Sequence, residues 1–311
     1  MPYKPEGYRI AGAENHELLS SLAGLERAQE KQKILESTAL LCDSDFTLHF
    51  DLYGIHGIMP RSEVQFNPSG EETKDIAILT RVGKPTCFKV IGFRRGANGA
   101  LCAILSRKAA QAECRYHFIS ALAPGDILPA KVTHLEPFGA FVDIGCGIIS
   151  LLSIDAISVS RITHPRDRFE PGDKIFVAVK SIDDAGRIYV TQRELLGTWE
   201  ENAACFSVGQ TVAGVVRSIE SYGIFIELAP NLAGLAEPKE GIRVGAQAAV
   251  YIKSILPEKM KIKLVIIDAL QGGGGRMPIT YFIDTQKTVH MDSWLYSPAG
   301  SRKIVKTVFT E

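Results

Sequence analysis

Leu18, Leu19, Leu22 and Leu25 recur at helical spacing behind Asn15, a residue suited to cap a helix start. From Lys33 onward the pattern changes to short apolar runs separated by Gly, Pro, Asn and Asp, which predicts short strands and tight turns. Two stretches interrupt that rhythm. Residues 106–122 are rich in Ala, and residues 195–206 place Thr198 and Glu201 in capping-box spacing, with Leu195, Leu196, Trp199 and Phe206 for one face. Both are expected to be helical connectors between β-rich modules.

The modules repeat. Gly125-Asp126-Ile127 followed by Phe138-Gly139-Ala140-Phe141-Val142 returns 84 residues later as Gly209-Gln210-Thr211 and Tyr222-Gly223-Ile224-Phe225-Ile226. Val177 to Ile182 is echoed by Val250 to Ile255, and a weaker earlier copy aligns Val82-Gly83-Lys84 with Pro171-Gly172-Asp173. A period of this length is too long for a solenoid unit and suits independent small domains. The central copy predicts five strands, over residues 127–135, 138–144, 149–154, 174–182 and 187–192. Five short strands that leave no open edge favour a small closed barrel of the oligonucleotide/oligosaccharide-binding (OB) type. The fold class expected is therefore mainly β: three tandem five-stranded OB-fold barrels with short connecting helices. The boundaries are an N-terminal helical segment over 1–33, a divergent repeat over 34–121, a central repeat over 122–200, a shortened repeat over 206–268, and a small C-terminal β extension over 276–311. That extension has strand-like runs at Ile279-Thr280-Tyr281-Phe282-Ile283, Trp294-Leu295-Tyr296 and from Ile304 to Phe309, and Gly272-Gly273-Gly274-Gly275 before it reads as a flexible linker.

Hydrophobic residues make up 46% of the 311 and charged residues 23%, a globular balance that argues against extensive disorder. No apolar run approaches the roughly 20 residues that span a bilayer, and the opening Met1-Pro2-Tyr3-Lys4-Pro5-Glu6-Gly7 lacks the apolar core of a secretory signal. A cytoplasmic protein without membrane contact is expected. Cys42, Cys87, Cys102, Cys114, Cys146 and Cys205 contain no Cys-x-x-Cys pair, so they are read as reduced, mostly buried thiols, and His56, His117, His134, His164 and His290 show no metal-ligand spacing. Neither a metal nor a cofactor is expected. Gly-x-Ser-x-Gly, His-Glu-x-x-His and phosphate-loop signatures are absent, and no catalytic constellation stands out.

The residues resemble a known family at this point. Gly125-Asp126, Phe138-Gly139-Ala140-Phe141-Val142-Asp143, Arg161-Ile162-Thr163-His164-Pro165, Gly172-Asp173-Lys174 and Ile182-Asp183 with Gly186-Arg187-Ile188 are similar to the S1 domain. This is the RNA-binding repeat of ribosomal protein S1, and it also occurs in several ribonucleases. The likeness covers roughly residues 34–268, and the arrangement resembles the shorter S1-domain proteins of Gram-positive bacteria. Ribonucleases of this kind carry a separate catalytic domain, for which too little chain remains, so the resemblance implies a non-enzymatic binder.

The resemblance also implies the site. Single-stranded RNA is held by stacking bases on aromatic faces beside cations that meet the phosphates. S1 domains use two aromatics of strand two, a histidine of strand three, and an Asp and Arg near strands four and five. Carried across, these are Phe138, Phe141, Asp183 and Arg187, with Ser153 at the histidine position and Tyr189 sharing the strand parity of Arg187. The third copy offers Tyr222 and Phe225, with Glu237 at the histidine position, where a carboxylate repels phosphate. Lys259, Lys261 and Lys263 alternate at period two; if they lie on a strand they form one cationic rail. The first copy offers Phe46 and His49, with Arg94, Arg95, Arg107 and Lys108 downstream. Each feature also has a plainer structural reading. The aromatics are core, the lysines guard a sheet edge, and Arg187 merely pairs with Asp183.

The leading expectation is a monomeric, cytoplasmic binder of single-stranded RNA or messenger RNA, acting in translation and with the small ribosomal subunit as a partner. The alternative is a protein-interaction scaffold that docks on the ribosome or the RNA-degradation machinery. A formal net charge of zero, from 35 basic and 35 acidic residues, is uneven along the chain. Residues 41–80 hold two basic and seven acidic residues, whereas 81–120 hold eight basic and one acidic. Neutrality thus excludes a uniformly basic binder and points to stacking aided by local basic strips.

Overall fold

A computed structural model describes residues 3–68, 70–95, 99–273 and 275–310. The chain forms two compact units, Met1–Leu122 with Asp143–Ile149, and Ala123–Val142 with Ser150–Glu311. In the first, the expected single helix is two, α1 (Ala13–Leu19) and α2 (Leu22–Glu30). The break falls at Ser20-Ser21 because Ser21 caps α2, its hydroxyl accepting from the Gly24 amide at 3.0 Å. Asn15 is not a cap; Gly12 holds that place, and Asn15 both donates to and accepts from the Glu36 backbone, at 2.9 and 2.8 Å.

The first repeat runs β1 (Leu35–Thr38), β2 (Leu41–Cys42), β3 (Leu48–Leu52), β4 (Ile55–Met59), α3 (Asp75–Leu79), β5 (Pro85–Arg95), β6 (Leu101–Ser106) and α4 (Arg107–His117). Its sheet order is β1-β5-β6-β4-β3-β2. The outer members β1 and β2 are one first strand in two pieces. Its first half pairs with β5 and its second with β3, so the sheet curls on itself through the interruption at Ala39-Leu40. Leu48, Phe50, Leu52, Met59, Phe88, Val90 and Leu105 fill the concavity.

Glu6 is buried beneath this sheet. Arg107 Nε and Arg81 Nη1 each lie 2.6 Å from its carboxylate, and the Cys87 amide donates to it at 3.1 Å. The Glu6 amide in turn donates to Asp143 Oδ2 at 2.7 Å, while Asp143 Oδ1 accepts from Gly145 and Gly147. Burial pushes Glu6 up, but the two guanidiniums prevail and hold it down at about 2. Asp143 is pushed up to about 7, chiefly by burial and then by the charge of Glu6.

In the second unit, β7 (Ile127–Glu136), β8 (Gly139–Asp143), β9 (Ile149–Ser153), α5 (Ile154–Ile157), β10 (Lys174–Ile182) and β11 (Ile188–Thr191) form a closed barrel in the order β10-β11-β9-β8-β7. After the short helix α6 (Trp199–Ala203), capped by Thr198 and Glu201 as the sequence predicts, comes a second closed barrel. It comprises β12 (Thr211–Glu220), β13 (Gly223–Ala229), β14 (Leu232–Ala236), β15 (Ala246–Leu256) and β16 (Lys261–Gly273), in the order β12-β13-β14-β16-β15. In all three repeats the fourth strand carries a register shift, at Val90/Gly92, Val179/Ser181 and Ile252/Ser254, and the third and fifth strands pair in parallel. These shared irregularities identify three copies of one OB-type plan. Of the expected glycine linker, Gly272 and Gly273 end β16, and Gly274 lies outside the described residues.

The two barrels of this unit are joined by a buried ion cluster. Glu227 and Arg168 have fully buried side chains, with Arg168 Nη1 donating to Glu227 Oε2 at 3.2 Å. Arg217 Nε donates to the same oxygen at 2.6 Å and its guanidinium lies 3.6 Å from Asp167. Asn231 accepts from the Val159 amide and donates to the carbonyls of Arg193 and Gly197.

The C-terminal segment adds a second tie. Residues 279–283, expected as a strand, form none; instead Tyr281 inserts its hydroxyl between the Phe176 amide (2.8 Å) and Gln192 Nε2 (2.9 Å), both donating to it. In this segment β17 (Ser293–Leu295) and β18 (Lys306–Val308) pair, and Trp294 on β17 and Tyr296 just after it join the core of the second barrel. Phe309 packs with Ile127, Ala178 and Leu195 of the first.

Glu227→Gln removes the one carboxylate facing two buried guanidiniums and is expected to destabilise this unit by about 3–5 kcal/mol, the usual cost of breaking a buried pair, read by urea unfolding followed through Trp199 and Trp294. In the first unit the pH dependence has two opposed limbs. Glu6 titrates lower folded than unfolded, so its stabilisation is present above about 4.5 and is lost as pH falls toward 2. Asp143 titrates higher folded than unfolded, so stability falls as pH rises from about 4 through 7. Hydrogen exchange at the Cys87 and Gly147 amides should show greatest protection at mildly acidic pH; a flat profile contradicts the assignment.

Candidate nucleic-acid interface

Phe138 closes the turn before β8 and is 55% exposed, too open for the core role. Gly139 follows it because strand three passes very near: a Cβ there would lie 2.6 Å from the Leu152 carbonyl oxygen. Phe141, half-buried, meets Phe138 edge to face, with centroids 6.0 Å apart at 90°. A third ring joins them, one that the sequence analysis weighs only as a metal ligand. His134 of β7 stacks on Phe141 at 6.3 Å and 24°, its Nε2 held 2.7 Å from Glu136. The only signal for it in the sequence is strand parity with the aromatic run.

Asp183 and Arg187 bracket the β10–β11 turn. Arg187 Nε donates to Asp183 Oδ2 at 2.7 Å, and the Tyr189 hydroxyl donates to the same oxygen at 3.3 Å. The Arg187 backbone N–H, then its side chain, holds the Asp183 carboxyl below its usual value. Arg187 thus makes the surface pair of the plainer reading and still exposes 73% of its side chain.

In the last repeat Tyr222 and Phe225 reproduce the aromatic geometry, at 6.1 Å and 88°. Gly223 again sits between them, with a Cβ position 2.7 Å from the Ala236 carbonyl oxygen. The register then runs Phe225 to Leu235 to Lys263 across β13, β14 and β16, which places ring and ammonium on one face. Counted from the shared bulge, Lys263 stands where Tyr189 does and Lys261 where Arg187 does, while Leu256 replaces Asp183. Neither lysine has an ion pair among the described residues. Lys259 does not share their face, because it lies in the turn Pro257–Lys259 and Met260 reverses the chain with φ +47°. Glu237 follows β14 and is exposed.

The first repeat keeps the positions and changes the chemistry. His49 pairs with Ile58 as Phe225 pairs with Leu235, so Phe46 and His49 do occupy the aromatic places. The Phe46 ring is covered by Arg61, whose guanidinium carbon lies 4.9 Å from its centroid and which also bonds Asp75 and the Thr73 carbonyl. His49 is held between Asp43 (2.8 Å) and His56 (2.9 Å), with which it stacks. Cys102 and Ile104 fall where Arg187 and Tyr189 do. Arg107 does not serve this face, since it is buried against Glu6. Arg94 and Arg95 are exposed.

Residues 121–192 match the model of the S1 RNA binding domain. The chain is 32% identical over 181 residues to small ribosomal subunit protein bS1 of Leuconostoc lactis, covering 52% of this chain and 41% of that protein. It is 30% identical over 221 residues to the bS1 homolog of Bacillus subtilis, covering 69% and 54%. It spans about half the length of the curated relatives it matches. A multidomain protein with nucleic acid binding domains from Streptococcus pneumoniae aligns over 76% of this chain and 73% of its own, at 15% identity and a TM-score of 0.25. The repeat topology and the glycine-spaced aromatic pairs agree with the match to the domain model and the likeness to the bS1 proteins: the chain carries an S1 RNA-binding domain and resembles ribosomal protein S1.

Proposed function

We propose that the chain binds single-stranded RNA without catalysis, acting in translation at the small ribosomal subunit as a cytoplasmic monomer. The observation that carries this reading is the recurrence of one edge-to-face aromatic pair, at 6.0 and 6.1 Å, on the same face of two barrels in one unit. Exposed rings beside cations accept bases of any sequence. Phe138, Phe141 and His134 with Tyr189 and Arg187 form one platform. Tyr222 and Phe225 with Lys261 and Lys263 form the other. The first repeat contributes less, since Arg61 covers Phe46 and Asp43 and His56 hold His49. Among the described residues no helix is long and apolar enough to cross a membrane.

The scaffold reading has one observation in its favour, the exposed Glu237 beside the last aromatic pair. A pull-down with and without nuclease separates the two, because partners that survive nuclease support docking on protein.

Phe138→Ala and Tyr222→Ala, both at exposed rings, are expected to leave the unfolding midpoint unchanged and each to weaken single-stranded RNA binding by about 1–3 kcal/mol, measured by fluorescence anisotropy. Unchanged affinity in both sinks the platforms. The double variant Lys261→Ala/Lys263→Ala should reduce the slope of log affinity against log salt by about 1.4, at about 0.7 per phosphate contact on a single strand. An unaltered slope removes these lysines from the interface.

A further inference from the structure

A cavity of about 460 Å³ opens in the first unit among the N-terminal segment, α1 and the α2–β1 connection. That volume is within the ~300–1,000 Å³ usual for small-molecule sites. Lys4, Arg9, Lys31 and Lys33 line it, with Glu14 and Glu113 the carboxylates of its wall among the described residues. Both carboxylates are already engaged. Lys33 Nζ lies 2.8 Å from Glu14, while Glu113 pairs with Lys89 and accepts from the Tyr3 hydroxyl at 3.1 Å. The hydrogen bond and charge of Lys33, then Arg9 and Lys31, hold the Glu14 carboxyl below its usual value. The wall therefore carries a net positive charge suited to a dianion.

The same wall has two half-buried aromatic rings, Tyr3 and Tyr8. Tyr3 is braced from behind by Phe118, with which it stacks at 5.9 Å and 23°. A flat ring attached to a phosphate satisfies both features at once. We propose that this cavity binds a nucleoside 5′-monophosphate group, either as a free nucleotide or as the phosphorylated end of an RNA strand. The phosphate meets Lys31 and displaces Glu14 from Lys33, and the base lies against Tyr3 and Tyr8. Arginine and lysine supply the charge-assisted donors such a dianion requires.

The test uses the full chain and titration calorimetry with AMP, adenosine, and a short oligoribonucleotide bearing either a 5′-phosphate or a 5′-hydroxyl. AMP is expected to bind at least tenfold tighter than adenosine. Lys31→Ala/Lys33→Ala, both exposed positions, should cost AMP at least tenfold while leaving the 5′-hydroxyl oligonucleotide unaffected. Tyr8→Leu should weaken AMP and leave inorganic phosphate unchanged. A preference for the phosphorylated oligonucleotide that AMP competes away identifies the RNA end as the source; AMP binding with no such preference identifies the free nucleotide. The proposal is overturned if neither AMP nor the phosphorylated end binds better than its dephosphorylated counterpart, or if the double lysine variant binds AMP as the wild type does. The AMP measurements do not depend on the stacking platforms, so failure there and failure of the RNA-binding reading are told apart.

Discussion

Glu227 has no exposed side-chain surface and faces two guanidiniums, Arg168 from one barrel and Arg217 from its own. Charges are removed from water at a cost of several kcal/mol each unless geometry and hydrogen bonds repay it. Here the repayment requires both barrels to be in place, because Arg168 lies in the long β9–β10 connection and Glu227 on β13. If either barrel pulls away, one charge is left buried and unmatched. The cluster therefore acts less as a source of stability than as a constraint on geometry. The Asn231 contacts and the C-terminal segment, which plants Trp294 and Tyr296 in one barrel and Phe309 in the other, apply the same constraint from other sides. On the proposed function, two weak sites held at fixed separation reinforce each other through effective concentration, and no entropy is required to align them.

On that frame the three faces have diverged while the backbone has not. The glycine between the aromatics is dictated by strand three, whose carbonyl oxygen leaves no room for a Cβ in either barrel. That close crossing is what throws the two flanking rings outward. The positions beyond are free to vary. One face pairs its arginine with Asp183, the next has lysines and Leu256 instead, and the first covers its ring with Arg61.

Features written in local sequence were legible. The five strands of the central repeat fall within a residue or two of their expected places, and the Thr198/Glu201 cap is as read. Errors arose where tertiary contacts override local pattern. Asn15 has the chemistry of a cap but is drawn to Glu36, a partner twenty-one residues away. Residues 279–283 alternate like a strand, yet Tyr281 finds Gln192 and Phe176 on a barrel and no strand partner forms. Lys259 keeps period two with Lys261, but Met260 turns the backbone and breaks the parity. His134 is illegible in local sequence for the same reason in reverse, because its neighbour Phe141 is adjacent only through the sheet.

Net charge is where the sequence and the structure differ most usefully. Residues 81–120 carry eight basic residues against one acidic and look like a basic strip. In the folded chain Arg81 and Arg107 neutralise the buried Glu6, and Lys89 pairs with Glu113. Three of those eight basic side chains are thus held in ion pairs within the fold. Arg168 and Arg217 are occupied likewise by Glu227. A charge count therefore overstates the cationic surface here, and on the proposed function phosphate attraction falls to a few side chains such as Lys261 and Lys263. Affinity for a nucleic acid on such a surface has to come mainly from the rings, whose stacking is far less sensitive to salt than an ionic contact.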